Sequence, residues 1–338
     1  MSSYYELTVE QVRHETADAC SFTLGVPASL AALFAYQAGQ FLTFKIPHPE
    51  GELLRCYSMS SSPRADRGIQ VCVKRVRDGR ASNWLCDNIR AGDTLLVMPP
   101  AGVFTVKEQA HDLLLFAGGS GVTPVFSILK TALLEGDRHI RLIYANRDPD
   151  SIIFDYELRA LQQQYPDRLE IVHLLDALQG IPKTELLQAL TYDMQSAQVY
   201  ICGPGPFMDS AERALQQAGF ASSQIHIERF VSLTTPSDIV VDNTKLDGEA
   251  EIEIDYYGDT HRFTCAPDQT LLQAAQAADI ALPYSCEVGM CASCMCEITA
   301  GSVDLLNNDV LSEHDIDNQL IITCQAVPTS DKVSLKYT

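Results

Sequence analysis

Leu113-Leu114-Leu115-Phe116-Ala117-Gly118-Gly119-Ser120-Gly121-Val122-Thr123-Pro124 joins an apolar run to a glycine turn and a helix start. Five consecutive apolar residues read as a strand buried on both faces. The glycines end it, and helical periodicity resumes from Thr123 to Leu134. Glycines let the backbone approach an anion such as a pyrophosphate, and the dipole of the following helix favours its charge. The spacing is not G-x-G-x-x-G, so the standard dinucleotide fingerprint is not met.

On the C-terminal side, strand-like Arg141–Ala145, Glu170–Leu174 and Gln198–Cys202 alternate with helical Asp155–Gln164, Lys183–Leu190 and Pro206–Ala218. That alternation predicts a parallel sheet covered on both faces, with its ligand crevice at the strand C-terminal ends. Cys202-Gly203-Pro204 falls on that edge. On the N-terminal side, Tyr5–Val12, Ser21–Val26, Gln40–Ile46, Arg55–Ser60, Gln70–Val76 and Thr94–Met98 are short strands set apart by turn residues, which suggests a small antiparallel barrel or sandwich. One helix is expected within it, at Ala81–Asn88. Gly79-Arg80-Ala81-Ser82 would place backbone N–H groups at that helix start, where anions bind, or Ser82 would be a simple N-cap. On the fourth strand, Arg55-Cys56-Tyr57-Ser58 offers a guanidinium for a pyrophosphate, a flat ring for stacking and a hydroxyl.

Beyond a polar, Pro-containing stretch at Ser232–Glu249, a hairpin (Ala250–Tyr257 and His261–Thr264), a helix (Thr270–Ala278) and a last strand near Leu320–Thr323 predict a small α+β domain. Within it lies Cys286-x4-Cys291-x2-Cys294-x29-Cys324, the plant-type 2Fe–2S spacing. Three thiolates on one loop can wrap one iron and part of the second, and a distant fourth closes the site. Gly289 permits positive φ inside the loop, whose N–H groups can hydrogen-bond the sulfides. Zinc sites usually show two close cysteine pairs, whereas Cys324 stands alone. Cys296, at the start of a strand, is expected to pack near the cluster without ligating it.

The 338 residues carry a net charge of −20, opposite to the footprint of a nucleic-acid binder, and no apolar run approaches the ~20 residues of a membrane helix. Met1-Ser2-Ser3-Tyr4-Tyr5-Glu6 shows neither the basic nor the apolar region of a secretory signal, so a cytoplasmic location is expected. The 17 Asp and Glu residues from Val240 to Thr338 face only Lys245, Arg262, Lys332 and Lys336, leaving −13 there and −7 on the rest. Such an excess serves solubility, or it forms a docking face for a basic partner.

Taken in order, Arg55-x-Tyr57-Ser58, Gly79-x-x-Ser82, Gly118-Gly119-x-Gly121-x-Thr123-Pro124 and Cys202-Gly203-Pro204, followed by the cysteine set, resemble the ferredoxin–NADP reductase superfamily with a C-terminal plant-type ferredoxin domain. The chain is most similar to the reductase components of multicomponent oxygenases. The resemblance implies a flavin-binding antiparallel β-barrel over 1–107, a parallel α/β NAD(P)-binding domain over 108–232, a linker over 233–249 and a β-grasp ferredoxin domain over 250–338. By the same resemblance, Arg55 would contact the flavin phosphate, Tyr57 would stack on the ring system and Ser58 would sit at its N5 edge, with Cys56 between them. Val73, Lys74 and Arg75 would line the flavin, with Gly79, Ala81 and Ser82 at its pyrophosphate. Gly118, Gly119, Ser120, Gly121, Thr123 and Pro124 would cradle the pyridine nucleotide. Cys202, followed by Gly203 and Pro204, would lie beside the nicotinamide, and Glu228 and Phe230 near the flavin. Ser58, Cys202, Glu228 and Phe230 are thus the expected catalytic set, and Cys286, Cys291, Cys294 and Cys324 the metal ligands. Gly79–Asn88 resembles FAD-using members more than FMN-using ones. Arg147 could grip a 2′-phosphate, but Asp148 and Asp150 would oppose it, which favours NADH over NADPH.

Electron counting fixes the implied order. A nicotinamide gives up two electrons together and a 2Fe–2S cluster takes one at a time, so a flavin must sit between them. The expected function is an NAD(P)H-oxidising reductase that feeds a terminal oxygenase or hydroxylase. The alternatives are a stand-alone diaphorase or quinone reductase, and a redox sensor.

Overall fold

A computed structural model of the chain describes residues 4–49, 51–106, 111–230, 248–256, 258–284, 287–289, 292–308, 310–311 and 313–337. The chain forms two units, one from Tyr5 to Phe230 and one that holds the described residues from 248 onward.

The first unit opens with strands β1 (Tyr5–Thr16), β2 (Ala19–Gly25), β3 (Phe41–Ile46), β4 (Leu53–Ser58) and β5 (Ile69–Lys74), helix α1 (Arg80–Asn88) and strand β6 (Thr94–Val97). They form one antiparallel sheet in the order β4-β3-β6-β1-β2-β5. Met59, just past β4, bridges Val71 on β5, so the two edges meet and the sheet closes into the expected barrel. Leu7, Val9, Phe22, Leu42, Phe44 and Val71 fill its interior.

Parallel strands follow: β7 (Leu113–Gly118), β8 (Ile140–Asn146), β9 (Leu169–Leu175), β10 (Gln198–Cys202) and β11 (Ile225–Glu228). Between them run α2 (Val122–Glu135), α3 (Asp155–Gln164), α4 (Asp176–Gln179), α5 (Thr184–Ala189) and α6 (Gly205–Gln217). Alternation along β7 explains the two layers. Leu113, Leu115 and Ala117 join α2 and α3 in one core, while Leu114 and Phe116 join α5 and α6 in another. On α6, Phe207, Met208, Ala211, Ala214 and Leu215 repeat at helical spacing on the buried face. Burial of each large side chain there stabilises the unit by about 1.5–3 kcal/mol. The strand order is β11-β10-β7-β8-β9, so the chain reverses direction across the sheet between β7 and β10. Ligands bind at such a switch point, beyond the carboxyl ends of the strands.

The second unit consists of β12 (Ala250–Tyr256), β13 (Asp259–Cys265), α7 (Leu271–Ala277), β14 (Met295–Ala300), β15 (Val303–Leu305), α8 (Glu313–Asp317), β16 (Leu320–Ile322), β17 (Ala326–Pro328) and β18 (Lys332–Tyr337). Its main sheet runs β13-β12-β18-β14-β16 and grips α7, whose Leu271, Leu272, Ala274 and Ala275 are buried. Thr270 and Gln273 close α7 with a reciprocal capping box. The sequence reading stopped one strand short: the last strand is β18, in the middle of the sheet and parallel to β12. β11, β15 and β17 were likewise not anticipated. The expected linker, 233–249, lies almost wholly outside the described residues.

Candidate functional site

Where β4, β10 and β11 end, Ser58, Cys202 and Glu228 come together. The Ser58 hydroxyl donates to Glu228 Oε2 at 3.2 Å, although 170 positions separate them in the chain. Cys202 and Glu228 are register partners on adjacent parallel strands. Desolvation pushes the Glu228 carboxyl up to about 8, against the lowering effect of the Ser58 hydrogen bond. Cys202 is fully buried, and both burial and the neighbouring carboxylate raise its thiol. Phe230, by contrast, is 44% exposed.

Along β4, Tyr57 meets Phe44 edge-on at 5.5 Å, and burial pushes its phenol far above the usual range. The Cys56 thiol lies 3.5 Å from the Thr43 hydroxyl. Arg55 is half-buried, its guanidinium bonded to the Leu54 carbonyl. Val73 is buried in the core of the barrel. Arg75 reaches Asp87 at 2.6 Å, tying the end of β5 to α1. The N-cap of α1 is Gly79, which has no side-chain oxygen to offer. Ser82 is not the cap: it lies in the first turn, where its hydroxyl accepts the Val76 N–H at 3.1 Å. The N–H groups of Ala81 and Ser82 therefore have no intrahelical acceptor, and an anionic group fits there.

At the switch point the glycines have two distinct duties. A Cβ on Gly118 would lie 2.6 Å from Pro204 Cδ, and one on Gly121 would lie 2.2 Å from the Cys202 carbonyl oxygen. These two, with Gly203 (2.9 Å from the Gly118 nitrogen), are small because the two loops pack on each other. Gly119 differs. Its φ is +52°, and a Cβ there would meet only the Lys74 ammonium at 3.6 Å, so it leaves an open cradle beside a cation. Thr123 is buried and donates to the Ser120 carbonyl at 3.0 Å, and Pro124 is buried in the first turn of α2. Sequence reasoning missed Tyr144. From the middle of β8 its hydroxyl donates to the Gly119 carbonyl at 3.1 Å and accepts the Ile153 N–H at 3.2 Å, pinning the left-handed turn.

Arg147 was expected to face Asp148 and Asp150. Asp148 instead caps its own turn through the Ser151 N–H at 2.9 Å, and the carboxylate that meets Arg147 is Asp18 of the barrel, at 3.2 Å. Lys74 lies 3.9 Å from the same carboxylate. Nothing in the local sequence around Asp18 signals this meeting.

In the second unit Cys294 and Cys324 are both buried, while Cys286 and Cys291 lie outside the described residues. The backbone of the cysteine loop is unusual at three of its described residues. Glu287, Gly289 and Ala292 have φ of +60°, +82° and +53°. Non-glycine residues hold such values only where the surroundings enforce them. The Gln325 amide donates to the Glu287 carbonyl at 3.0 Å and to the Cys324 carbonyl at 2.9 Å, and the Asn307 amide donates to the Val288 carbonyl at 3.1 Å. With those carbonyls occupied, the donors this loop can turn toward a bound group are its N–H groups, which suits an anionic thiolate–sulfide cluster. Neither Gln325 nor Asn307 was legible as a site residue.

Three family models match successive parts of the chain: an oxidoreductase FAD-binding domain at 6–106, an oxidoreductase NAD-binding domain at 115–213 and a 2Fe-2S iron-sulfur cluster binding domain at 254–329. The ferredoxin reductase component of 3-ketosteroid-9-alpha-monooxygenase from Rhodococcus rhodochrous is 45% identical over 98% of this chain and 96% of its own length. A 1,2-phenylacetyl-CoA epoxidase component from Escherichia coli is 36% identical over 98% of both. This chain belongs to the ferredoxin-reductase components of oxygenase systems. Among solved structures, phthalate dioxygenase reductase matches 99% of this chain and 98% of its own, with a TM-score of 0.63 and 25% identity.

The chain thus has the parts expected of a reductase of this family: a flavin-binding barrel, a nucleotide-binding sheet and a cluster-binding unit. Among the described residues no helix is long and apolar enough to cross a membrane. The Gln325 and Asn307 amides are the parts of the reductase most open to a direct test. Gln325→Leu keeps the size of the side chain and removes both donations. The purified variant is expected to lose at least about half of its cluster iron on dilution, since outer-shell partners are worth roughly 10–100-fold in metal affinity. Iron and acid-labile sulfide assays report it, and full occupancy would show that the amides only shape the loop.

Proposed function

We propose that Ser58, Cys202 and Glu228 line the place where a nicotinamide meets the flavin, and that Gly119, with Lys74 behind it, holds the nucleotide phosphates. The protein is a reductase that passes electrons from NAD(P)H through FAD and a 2Fe–2S cluster to a partner oxygenase. FAD, when bound, takes a two-electron hydride and releases single electrons. The chain itself orients, excludes water and sets charge, and no strong acid or base is required of it.

The observation that carries the reading is the Ser58–Glu228 hydrogen bond, which joins the flavin-binding barrel to the nucleotide sheet at the switch point. Tyr57 would supply the stacking surface, Arg55 and the open N–H groups of Ala81 and Ser82 the contacts to flavin phosphates, and Arg75 the brace that holds α1 in place. Phe230 would cover the flavin by moving in from its exposed position. Arg147, held by Asp18, favours NADH over NADPH. We place the working boundaries at 1–107, 108–232 and 250–338 with a linker between the last two, and the protein in the cytoplasm. The acidic excess after Val240 would form the docking face for a basic patch on the oxygenase.

A protein ending after Ser232 tests the division of labour. It is expected to bind FAD and to reduce ferricyanide with NADH at nearly the full rate. Its reduction of cytochrome c, a basic one-electron acceptor, should fall about tenfold or more, because the low-potential cluster is gone. A folded truncation that binds no flavin would refute the scheme.

A further inference from the structure

On the side of the barrel away from the coenzyme cleft, a second cavity opens where the barrel packs on the C-terminal half of α2. Its volume is about 640 Å³. Thr131 and Glu135 on its wall lie more than two turns of α2 beyond Thr123, the latter by ~18 Å along the helix axis. Ile69, at the start of β5, lines it ~17 Å from Lys74 at the other end of that strand. The cavity is therefore not a lobe of the coenzyme site.

Phe34, Ala38, Ile69, Val106 and Ile128 give it an apolar wall. Arg138 also lines it, and is only 7% exposed. The Nε and Nη1 atoms of that guanidinium are buried without a hydrogen-bond partner. Arginine cannot escape by losing its proton, and a buried cation needs a counter-charge. The carboxylates on the wall are already engaged: Glu135 pairs with Arg64 at 2.7 Å, and Asp66 with Lys130. Arg138 thus lies beside an apolar surface with the fields of Glu135 and Asp112 but no ion pair of its own among the described residues. Hydroxyl contacts hold the seam around it, with Ser62 2.8 Å from Thr131 and Tyr36 2.7 Å from Ser61.

We propose that this cavity binds a small amphiphilic carboxylate, with its anion on Arg138 and its apolar body against Phe34, Ile69 and Ile128. A bound carboxylate would give Arg138 a charge-assisted partner, and the volume suits a ligand of drug-like size or smaller. A straight alkyl chain and a fused ring present the same chemistry, so both are tested.

The experiment is calorimetric titration of the FAD- and cluster-loaded protein with octanoate and 2-naphthoate, each beside its neutral counterpart, 1-octanol and naphthalene-2-carboxamide. One acid is expected to bind at least about tenfold more tightly than its neutral partner, as a charged hydrogen bond would require. The tighter of the two acids identifies the body as chain or ring. Arg138→Gln should abolish that preference while NADH-dependent ferricyanide reduction stays at the wild-type rate. Ala35→Trp, which fills the cavity from an exposed position on its rim, should block binding without disturbing the core. If neither acid binds, if acid and neutral compound bind alike, or if Arg138→Gln binds the acid as the wild type does, the proposal is overturned. Should Arg138→Gln not fold, the acid-to-neutral comparison and Ala35→Trp decide the matter alone.

Discussion

Serine in place of Cys324 is expected to leave the protein without its 2Fe–2S cluster, and the same result is expected at Cys286, Cys291 and Cys294. A hydroxyl does not ionise at neutral pH as a metal-bound thiol does, so the fourth corner is lost. Thr323 donates through both its N–H (3.2 Å) and its hydroxyl (3.3 Å) to the Cys294 carbonyl, which fixes the segment before Cys324 beside the cysteine loop. Cys296 is different: it lies on β14 opposite Ile321 and outside the plant-type cysteine spacing. Cys296→Ser should therefore keep near-full iron and sulfide, at some cost in stability. In the four ligand variants the visible absorbance of the cluster disappears and electron delivery to cytochrome c collapses. Ferricyanide reduction by NADH persists in all of them, since that acceptor draws on the first unit. Cluster loss in Cys296→Ser with retention in Cys324→Ser would overturn the ligand assignment.

Glu228→Ala is expected to slow NADH oxidation by roughly tenfold, because it removes the acceptor that holds the Ser58 hydroxyl and leaves that buried group unpaired. The carboxyl pKa of about 8 makes the effect dependent on pH. Between the ordinary value near 4.5 and about 8, the folded protein keeps a proton that the unfolded chain has released. Stability therefore declines as pH rises through that window, and the loss is complete above about 8. Glu228→Gln cannot ionise and should show no such decline, so the difference in melting temperature between the two proteins should grow in favour of the variant as pH rises. Activity should follow the same group. A neutral carboxyl opposes the arrival of a hydride's negative charge less than an ionised one does. Stopped-flow NADH oxidation should thus fall in the wild type above about pH 8 and stay flat in Glu228→Gln. Parallel profiles for the two proteins would show that Glu228 only braces Ser58.

The barrel, the parallel sheet and the ferredoxin unit were legible because each leaves a local signature: alternation and turns, strand–helix alternation with a glycine turn, and cysteine spacing. What escaped notice depends on distant pairing. β11 has four half-buried residues and takes its strand form only beside β10. β18 does alternate, with Val333, Leu335 and Tyr337 buried, yet its place in the middle of the sheet comes from β12, some eighty residues earlier. Glu228 was found through resemblance, but its link to Ser58 joins strands of two domains. Asp18, Tyr144, Gln325 and Asn307 are ordinary residues in their own segments. Each gains its role from a partner that only the folded chain brings within 3.2 Å. Resemblance credited all the switch-point glycines to the ligand, and did not show that three of them also make room for a neighbouring loop.

The interlocking of those loops has a consequence for how such an enzyme can be redesigned. The turns after β7 and β10 fit together like two tiles, and a single methyl group on Gly118, Gly121 or Gly203 would collide with the opposite backbone or proline ring. Neither tile can be exchanged alone, which makes this region a poor target for directed evolution and a durable one over time. The tip of β8 is under no such constraint. Arg147 is 66% exposed and meets a carboxylate from the barrel, so changes there disturb no packing. An engineer seeking to retune the choice of coenzyme would begin at Arg147 and Asp18 and leave the glycines alone.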